Sequence, residues 1–173
     1  MDDKYDKLMM EVACITAKES YCTKAKVGAI LAKEGRIVAN GYNGTVSGAD
    51  NVCEIAEKCP TCNGQGRVRI EKNTNKSLDW NNYSCDKCNG TGYRLVTSPL
   101  VAIPSLAQNL LAFCAKEGIA TKGLTMYITL SPCTNCAKYI VQAGITRVVY
   151  LNKYKDESGI KFLQDCGIEV HEL

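Results

Sequence analysis

Cysteines are the residues of this sequence whose type and spacing point most directly to chemistry. The chain of 173 residues contains 11 of them. Six form three Cys-x-x-Cys pairs, which are Cys59/Cys62, Cys85/Cys88 and Cys133/Cys136. Two thiolates at this spacing can hold one metal ion from a tight turn, and in a reducing compartment such pairs favour metal sites over disulfides. The sequence therefore predicts a metal-binding protein.

The first two pairs belong to a repeated pattern of the form C-x-x-C-x-G-x-G. Residues 59–66 read CPTCNGQG and residues 85–92 read CDKCNGTG. The glycines permit a backbone shape that aims amide groups at the thiolates, and four soft thiolates suit a closed tetrahedral Zn²⁺ site. We predict a structural zinc bound by Cys59, Cys62, Cys85 and Cys88.

This cysteine-rich segment resembles the zinc repeats of DnaJ-type chaperones over these residues. In that family the module can contact other proteins, so the resemblance leaves open an adaptor role for a protein partner. The interpretation that we favour is a metal staple, because a short segment with little apolar content needs a cross-link to stay folded.

Composition and charge exclude several classes of function. A net charge of +3 is too small to indicate a nucleic-acid groove. No apolar run approaches the ~18 residues of a membrane span, and the acidic start Met1-Asp2-Asp3-Lys4 differs from a signal peptide. We expect a cytoplasmic protein without a membrane or nucleic-acid partner.

The hydrophobic pattern predicts an α/β domain that is interrupted by an insertion. The α/β domain comprises residues 1–52 and 97–173, and residues 53–96 form the zinc-binding insertion, where little hydrophobic periodicity is visible. The expected elements in chain order are a helix over 4–20, a hairpin over 26–40, an irregular glycine-rich loop over 41–48, a helix over 105–117, a strand over 125–130, a helix over 133–143, a strand over 147–151, a helix over 158–166 and a strand over 168–170. The first helix is expected to bury Tyr5, Leu8, Met9, Val12 and Ile15.

The third cysteine pair lies in the run Ser131-Pro132-Cys133-Thr134-Asn135-Cys136, between a predicted strand and a predicted helix. A Pro-Cys-x-x-Cys in this position is half of the signature of zinc nucleobase and nucleotide deaminases. The other half is His-x-Glu, and the matching positions here read Ser105-Leu106-Ala107.

Further residues extend this similarity, and together the chain resembles the deoxycytidylate (dCMP) deaminase family of the cytidine-deaminase-like fold over residues 5–154 outside the insertion. The carriers are Lys26-Val27-Gly28-Ala29, Gly41-Tyr42-Asn43-Gly44 with Gly48 and Cys53, Asn109, and residues 126–136. The resemblance implies a three-layer α/β/α sandwich with about five strands and a homo-oligomer. It also implies a deoxynucleotide ligand, either dCMP or a deoxynucleoside triphosphate, at Asn40, Gly41, Tyr42, Asn43, Asn109 and Tyr154.

The chemistry of that family is where this sequence departs from the pattern. In the family one His and two Cys hold a zinc that lowers the pKa of a bound water, and the Glu carries protons. Here Ser105 replaces the His and Ala107 replaces the Glu. A hydroxyl is a poor zinc ligand beside thiolates, and loss of a general acid–base costs about 10²–10⁴-fold in rate. We predict that Cys133 and Cys136 are a vestigial pair, that a second zinc there is doubtful, and that the chain is an inactive or altered nucleotide-binding homologue.

The alternative is an active zinc-dependent deaminase that converts dCMP to dUMP with an unrecognised third ligand and proton shuttle, or with groups from another subunit. The one histidine, His171, lies three residues from the C-terminus. We expect it at the surface or at a strand end, away from Cys133.

Overall fold

The structure, a computed structural model, describes residues 3–45, 50–71, 80–97 and 106–173. Ser105 and Gly48, which the sequence singles out, lie outside the described residues. The chain forms two compact units, one made of residues 1–53 and 100–173 and the other of residues 54–99.

The larger unit is a mixed sheet with helices on both sides. Its elements in chain order are α1 (Asp3–Lys18), β1 (Gly28–Lys33), β2 (Arg36–Tyr42), α2 (Leu106–Lys116), β7 (Thr125–Leu130), α3 (Thr134–Gln142), β8 (Arg147–Asn152), α4 (Ser158–Asp165) and β9 (Glu169–Glu172). The five strands follow the order β2-β1-β7-β8-β9. The central strand β1 is antiparallel to both of its neighbours, β2 and β7, and β7, β8 and β9 run parallel.

The two faces of this sheet are buried by different helices, as the alternation of side chains along each strand requires. On one face, Ile30, Tyr127 and Val149 pack with Met9, Met10 and Ala13 of α1. On the other face, Leu31, Met126 and Val148 pack with apolar residues of α2, α3 and α4. This arrangement confirms the predicted three-layer α/β/α sandwich with five strands.

The smaller unit contains two antiparallel strand pairs. The first joins β3 (Glu54–Lys58) to β6 (Tyr93–Thr97), and the second joins β4 (Arg67–Glu71) to β5 (Trp80–Ser84). These strands were not predicted from the sequence, and the described side chains of β3 and β6 form no buried face. Ladder hydrogen bonds and the cysteine cluster described below hold the unit instead.

The buried face of α1 differs from the expected one. Tyr5, Leu8 and Ile15 are exposed, so the expectation that they are buried was wrong. The buried face instead comprises Asp6, Met9, Met10, Ala13, Thr16 and Ala17. The buried face differs from the predicted one because it includes Asp6, whose carboxylate accepts two hydrogen bonds from the guanidinium of Arg147, at 2.8 and 2.7 Å.

Gly28 marks the point where β1 touches α1. A Cβ at this position would collide with the carbonyl oxygen of Ala13 and lie 2.5 Å from the amide nitrogen of Ala17. We expect Gly28→Ala to lower the free energy of unfolding by about 1–3 kcal/mol, since backbone atoms cannot move aside cheaply. Urea unfolding measures this. Gly44→Ala is the control, because a Cβ there meets nothing within 4 Å, and an equal loss in both variants would contradict the steric reason.

Within the described part of the chain, no helix combines the length and the apolar character that crossing a membrane requires.

Candidate functional site

The four cysteines of the repeated pattern come together in the smaller unit. Their sulfur atoms all lie within 4.8 Å of one another, and all four residues are buried. The Cys59 and Cys85 sulfurs are 3.8 Å apart, and those of Cys62 and Cys88 are 3.7 Å apart. A tetrahedral Zn²⁺ with Zn–S bonds of about 2.3 Å separates its thiolates by about 3.8 Å. These spacings therefore fit one zinc ion.

Backbone amides point at the sulfurs in the same way in both repeats. The N–H of Gly66 donates to Cys62 Sγ at 3.2 Å, and the N–H of Gly92 donates to Cys88 Sγ at 3.3 Å. A hydrogen bond of this kind stabilises a thiolate, which is the form that binds metal. The glycines of the repeat thus serve the cysteines directly.

The two repeats are also locked to each other. The N–H of Cys59 donates to the carbonyl of Gly92 at 2.8 Å, and the N–H of Cys85 donates to the carbonyl of Gly66 at 2.9 Å. Gly66 and Gly92 have φ values of 71° and 80°, and a Cβ on either would collide with a carbonyl of the other repeat. Only glycine meets both conditions, so the fourfold sulfur cluster depends on these two positions.

The protonation of the cluster is uneven. The backbone N–H of Cys62 lowers the pKa of the Cys59 thiol, whereas burial raises the pKa of the Cys85 thiol. Four buried thiolates need a cation to offset their charge, and a bound metal deprotonates coordinating thiols outright. The donor set therefore suits a soft divalent metal and fits the zinc that the sequence predicts.

A cavity of about 860 Å³ lies in the larger unit, between α2, α3 and the end of β7. This volume is in the range of small-molecule sites. Polar groups that line it come from several elements: Asn43, Gln108, Ser131, Asn135, Lys138, Gln142 and Tyr154. Cys133, Cys136 and Ala107 also line it, so the cavity brings together residues of both halves of the deaminase signature.

Asn43 is fixed at the cavity wall by its own side chain. Its Oδ1 accepts from the N–H of Val27 at 2.7 Å, and its Nδ2 donates to the carbonyl of Ala25 at 2.8 Å. The carbonyl of Asn43 accepts from the hydroxyl of Ser20 at 2.8 Å. The carboxamide thus shapes the wall by holding the segment before β1, a role that its position in a glycine-rich loop did not reveal.

The other residues predicted to bind a nucleotide lie apart from the cavity lining, except for Tyr154. Asn40 is exposed on β2, and Gly41 and Tyr42 end that strand. Asn109 on α2 donates from Nδ2 to the carbonyl of Tyr42 at 3.2 Å. This bond connects α2, which contributes to the cavity lining, to the end of β2.

Cys133 and Cys136 sit where β7 gives way to α3. Cys133 is the residue that precedes the first turn of α3, and Cys136 is buried within it. Their sulfurs are 3.0 Å apart, closer than the roughly 3.8 Å of two thiolates on a tetrahedral zinc. In the described ranges, the four cysteines of the smaller unit are the one group of three or more His, Cys, Asp or Glu placed to hold a metal. Within the described residues, the pair therefore lacks the third protein ligand that the family's catalytic zinc requires.

His171 does not supply the missing ligand in this structure. It lies on β9 with about half of its side chain exposed, and its Nε2 is 2.6 Å from Glu169 Oε1.

A disulfide between Cys22 and Cys53 in the larger unit was not predicted from the sequence. Neither residue belongs to a Cys-x-x-Cys pair, so spacing offered no signal for it.

A five-stranded sheet between helix layers, with a Cys-x-x-Cys opening the helix after β7, defines a cytidine-deaminase-like α/β protein. The chain belongs to the deoxycytidylate deaminase family, and residues 3–170 match the family model of the MafB19-like deaminases. The family and fold that the sequence predicted are thus confirmed.

Three relatives illustrate the similarity. The deoxycytidylate deaminase of Enterobacteria phage T4 is 32% identical over 176 residues, covering 95% of this chain and 88% of its own. That of Schizosaccharomyces pombe is 30% identical, covering 97% of this chain and 44% of its own. The solved dCMP deaminase of the cyanophage S-TIM5, in complex with dCMP and dUMP, is 30% identical, with a TM-score of 0.71 and coverage of 100% of this chain and 99% of its own.

Proposed function

We propose that this dCMP-deaminase-like protein binds a deoxynucleotide but does not carry out ordinary hydrolytic deamination. The observation that carries the proposal is Ala107. Its methyl group is buried at the cavity, at the position where the family resemblance places the proton-carrying Glu. A methyl group neither accepts nor donates a proton.

The metal chemistry supports the same proposal. The resemblance assigns the third zinc ligand to Ser105, and a neutral hydroxyl competes poorly as a ligand beside thiolates. The described residues around Cys133 and Cys136 add no third ligand of the His, Cys or carboxylate type. Without an activated water and a proton shuttle, the chain retains the means to hold a ligand rather than to hydrolyse it.

The proposed ligand is a deoxynucleotide, dCMP or a deoxynucleoside triphosphate. The cavity is large enough for one, and the S-TIM5 relative is described in complex with dCMP and dUMP. We assign direct contacts to Asn43 and Tyr154, and support of the wall to Asn40, Gly41, Tyr42 and Asn109. A homo-oligomer is part of the proposal by family resemblance.

The two parts of the chain that the sequence predicts receive separate roles in this proposal. Residues 1–52 and 97–173 are the nucleotide-binding, deaminase-like domain, and residues 53–96 are a zinc-binding insertion. Cys59, Cys62, Cys85 and Cys88 would hold the zinc, which supplies a structural cross-link between the two repeats. We propose no second zinc at Cys133 and Cys136.

Calorimetric titration with dCMP, dCTP and dTTP, paired with an ammonia-release assay on dCMP, tests this function. We expect saturable binding of at least one nucleotide, weaker binding by Tyr154→Ala, and no ammonia above the buffer rate. Lys87→Ala in the smaller unit is the matched control for binding. Absence of binding by all three nucleotides would overturn the ligand assignment, and zinc-dependent ammonia release would establish the active deaminase alternative.

A further inference from the structure

We propose that Cys133 and Cys136 form a thiol–disulfide exchange site that reacts with low-molecular-weight disulfides. The proposal does not depend on nucleotide binding, because it concerns the chemistry of the two sulfurs alone. Its starting point is the disagreement between this pair and a zinc site.

The distances between sulfurs separate the two kinds of cysteine cluster in this protein. In the cluster of the smaller unit the measured separations are 3.8 and 3.7 Å, as a shared tetrahedral metal requires. Between Cys133 and Cys136 the separation is 3.0 Å. The two sulfurs would have to approach by only about 1 Å to reach the disulfide bond length of about 2.05 Å. The pair is therefore placed for bonding between its sulfurs.

The two thiols differ in access as an exchange reaction requires. Cys133 is half-buried at the start of α3 and lines the cavity, whereas Cys136 is buried, with 6% of its surface exposed. In a Cys-x-x-Cys dithiol the more accessible thiol is the one that an incoming disulfide can reach. The second thiol is then positioned to resolve the product.

The cavity beside Cys133 gives a small disulfide room to approach. The lining there also includes Pro132, Asn135 and Tyr154, which offer both an apolar surface and hydrogen-bonding groups. A bulky protein disulfide does not match a recess of about 860 Å³, so the reacting class is a small disulfide such as oxidised glutathione.

The exchange balances as two displacements at sulfur. The Cys133 thiolate attacks one sulfur of the disulfide RSSR, which forms a mixed disulfide and releases RS⁻. The Cys136 thiolate then attacks Cys133 Sγ, which forms the Cys133–Cys136 bond and releases the second RS⁻. The protein dithiol is oxidised by two electrons, RSSR is reduced to two thiols, and the protons of the two cysteines pass to the leaving thiolates.

A tryptic peptide makes the test direct. Cleavage after Lys122 and Lys138 yields residues 123–138, whose only cysteines are Cys133 and Cys136. The full-length, zinc-loaded protein is equilibrated with oxidised glutathione, quenched in acid, blocked with a maleimide and analysed by mass spectrometry. We expect this peptide to lose two hydrogen atoms and its maleimide labels, and to regain both labels after treatment with dithiothreitol.

Variants separate the two roles. Cys136→Ser should stop at the mixed disulfide and carry one glutathione on Cys133, whereas Cys133→Ser should leave the buried Cys136 unmodified. Cys166→Ser, which removes an exposed cysteine elsewhere, should behave as the wild type. Thermal unfolding checks that each variant is folded. If a variant does not fold, the oxidation state of peptide 123–138 from the wild-type protein still tests the proposal.

Two results would overturn the proposal. One is a peptide 123–138 that stays doubly labelled while Cys166 becomes glutathionylated in the same sample. The other is a zinc content, measured on the same protein before oxidation, that falls in Cys133→Ser relative to Cys166→Ser, because the pair would then be a metal site.

Discussion

Replacing Cys59 by serine is expected to abolish zinc binding and to unfold the smaller unit. Structural zinc contributes about 10–16 kcal/mol to the folding of zinc-finger peptides, whereas a core of this size rarely supplies more than about 3–5 kcal/mol. Apart from the cysteines, the described cluster at the centre of this unit has one partly buried apolar neighbour, Val68. The zinc that we propose would therefore be the main stabilising element, and three thiolates would leave its tetrahedral coordination incomplete.

Elemental analysis and hydrogen exchange measure this effect. Wild type and the control Cys166→Ser should contain about one zinc per chain, with protected amides in β3–β6 and β4–β5. Cys59→Ser should lose the zinc and that protection while the amides of β7 and β8 stay protected. Two results would contradict the zinc assignment. One is a Cys59→Ser variant that still contains about one zinc per chain. The other is a wild-type protein that contains no metal although the amides of β3–β6 and β4–β5 remain protected from exchange.

The parts of the structure that could be predicted are those with a local chemical or periodic signal. The strand predicted over residues 125–130 coincides with β7, because Thr, Met, Tyr, Ile and Leu form an uninterrupted buried run. The cysteine cluster was visible as a repeat, since the eight-residue pattern contains both the ligands and the glycines that aim amides at them. In each case the necessary information lies within a few residues.

Long-range polar contacts were outside the reach of the sequence. The apolar periodicity of α1 predicted that Tyr5, Leu8 and Ile15 are buried, although all three are exposed, and it carried no signal that Asp6 is buried. The partner of Asp6 is Arg147, on a strand far along the chain, and no local pattern connects them. Likewise, Asn43 was recognised as a polar group in a loop, but its two hydrogen bonds to residues 25–27 required the folded geometry.

Both the sequence and the structure were needed to interpret the catalytic signature. The sequence revealed Ala107 in place of the expected acid, and the structure placed its methyl group at the cavity beside Cys133 and Cys136. What the sequence left undecided was the use of the remaining cysteines. Their separation of 3.0 Å is the observation from which we propose dithiol chemistry for this pair.

Asp6→Ala is expected to destabilise the larger unit by about 3–5 kcal/mol at pH 7, the usual cost of leaving one partner of a buried ion pair alone. The Asp6 and Arg147 side chains are 8% and 9% exposed and make a two-point contact at 2.7 and 2.8 Å. The hydroxyl of Tyr127 also donates to Asp6 Oδ1, at 2.8 Å. Removal of the carboxylate therefore takes the two-point contact from a buried guanidinium and one hydrogen bond from a buried hydroxyl.

Glu169→Gln provides a control on the same arginine. Glu169 Oε1 accepts from Arg147 Nε at 3.1 Å, but the side chain of Glu169 is 57% exposed. An exposed ion pair contributes about 0–1 kcal/mol to stability. The free energy of unfolding of this variant should therefore lie within about 1 kcal/mol of the wild-type value. A similar loss in the two variants would contradict the importance that we assign to burial.

The dependence of stability on pH gives Asp6 a second, independent signature. The hydrogen bonds from Arg147 hold the pKa of this carboxyl below its ordinary value in the folded state. A carboxyl with a lowered folded pKa contributes stability that is fully present above the unfolded pKa of about 3.9 and is lost as the pH falls through the folded pKa. Urea unfolding of wild type and Asp6→Asn between pH 7 and pH 3 should therefore show the gap between the two proteins narrowing below about pH 4. A gap that stays constant over this range would show that the carboxylate of Asp6 is not the group that Arg147 stabilises.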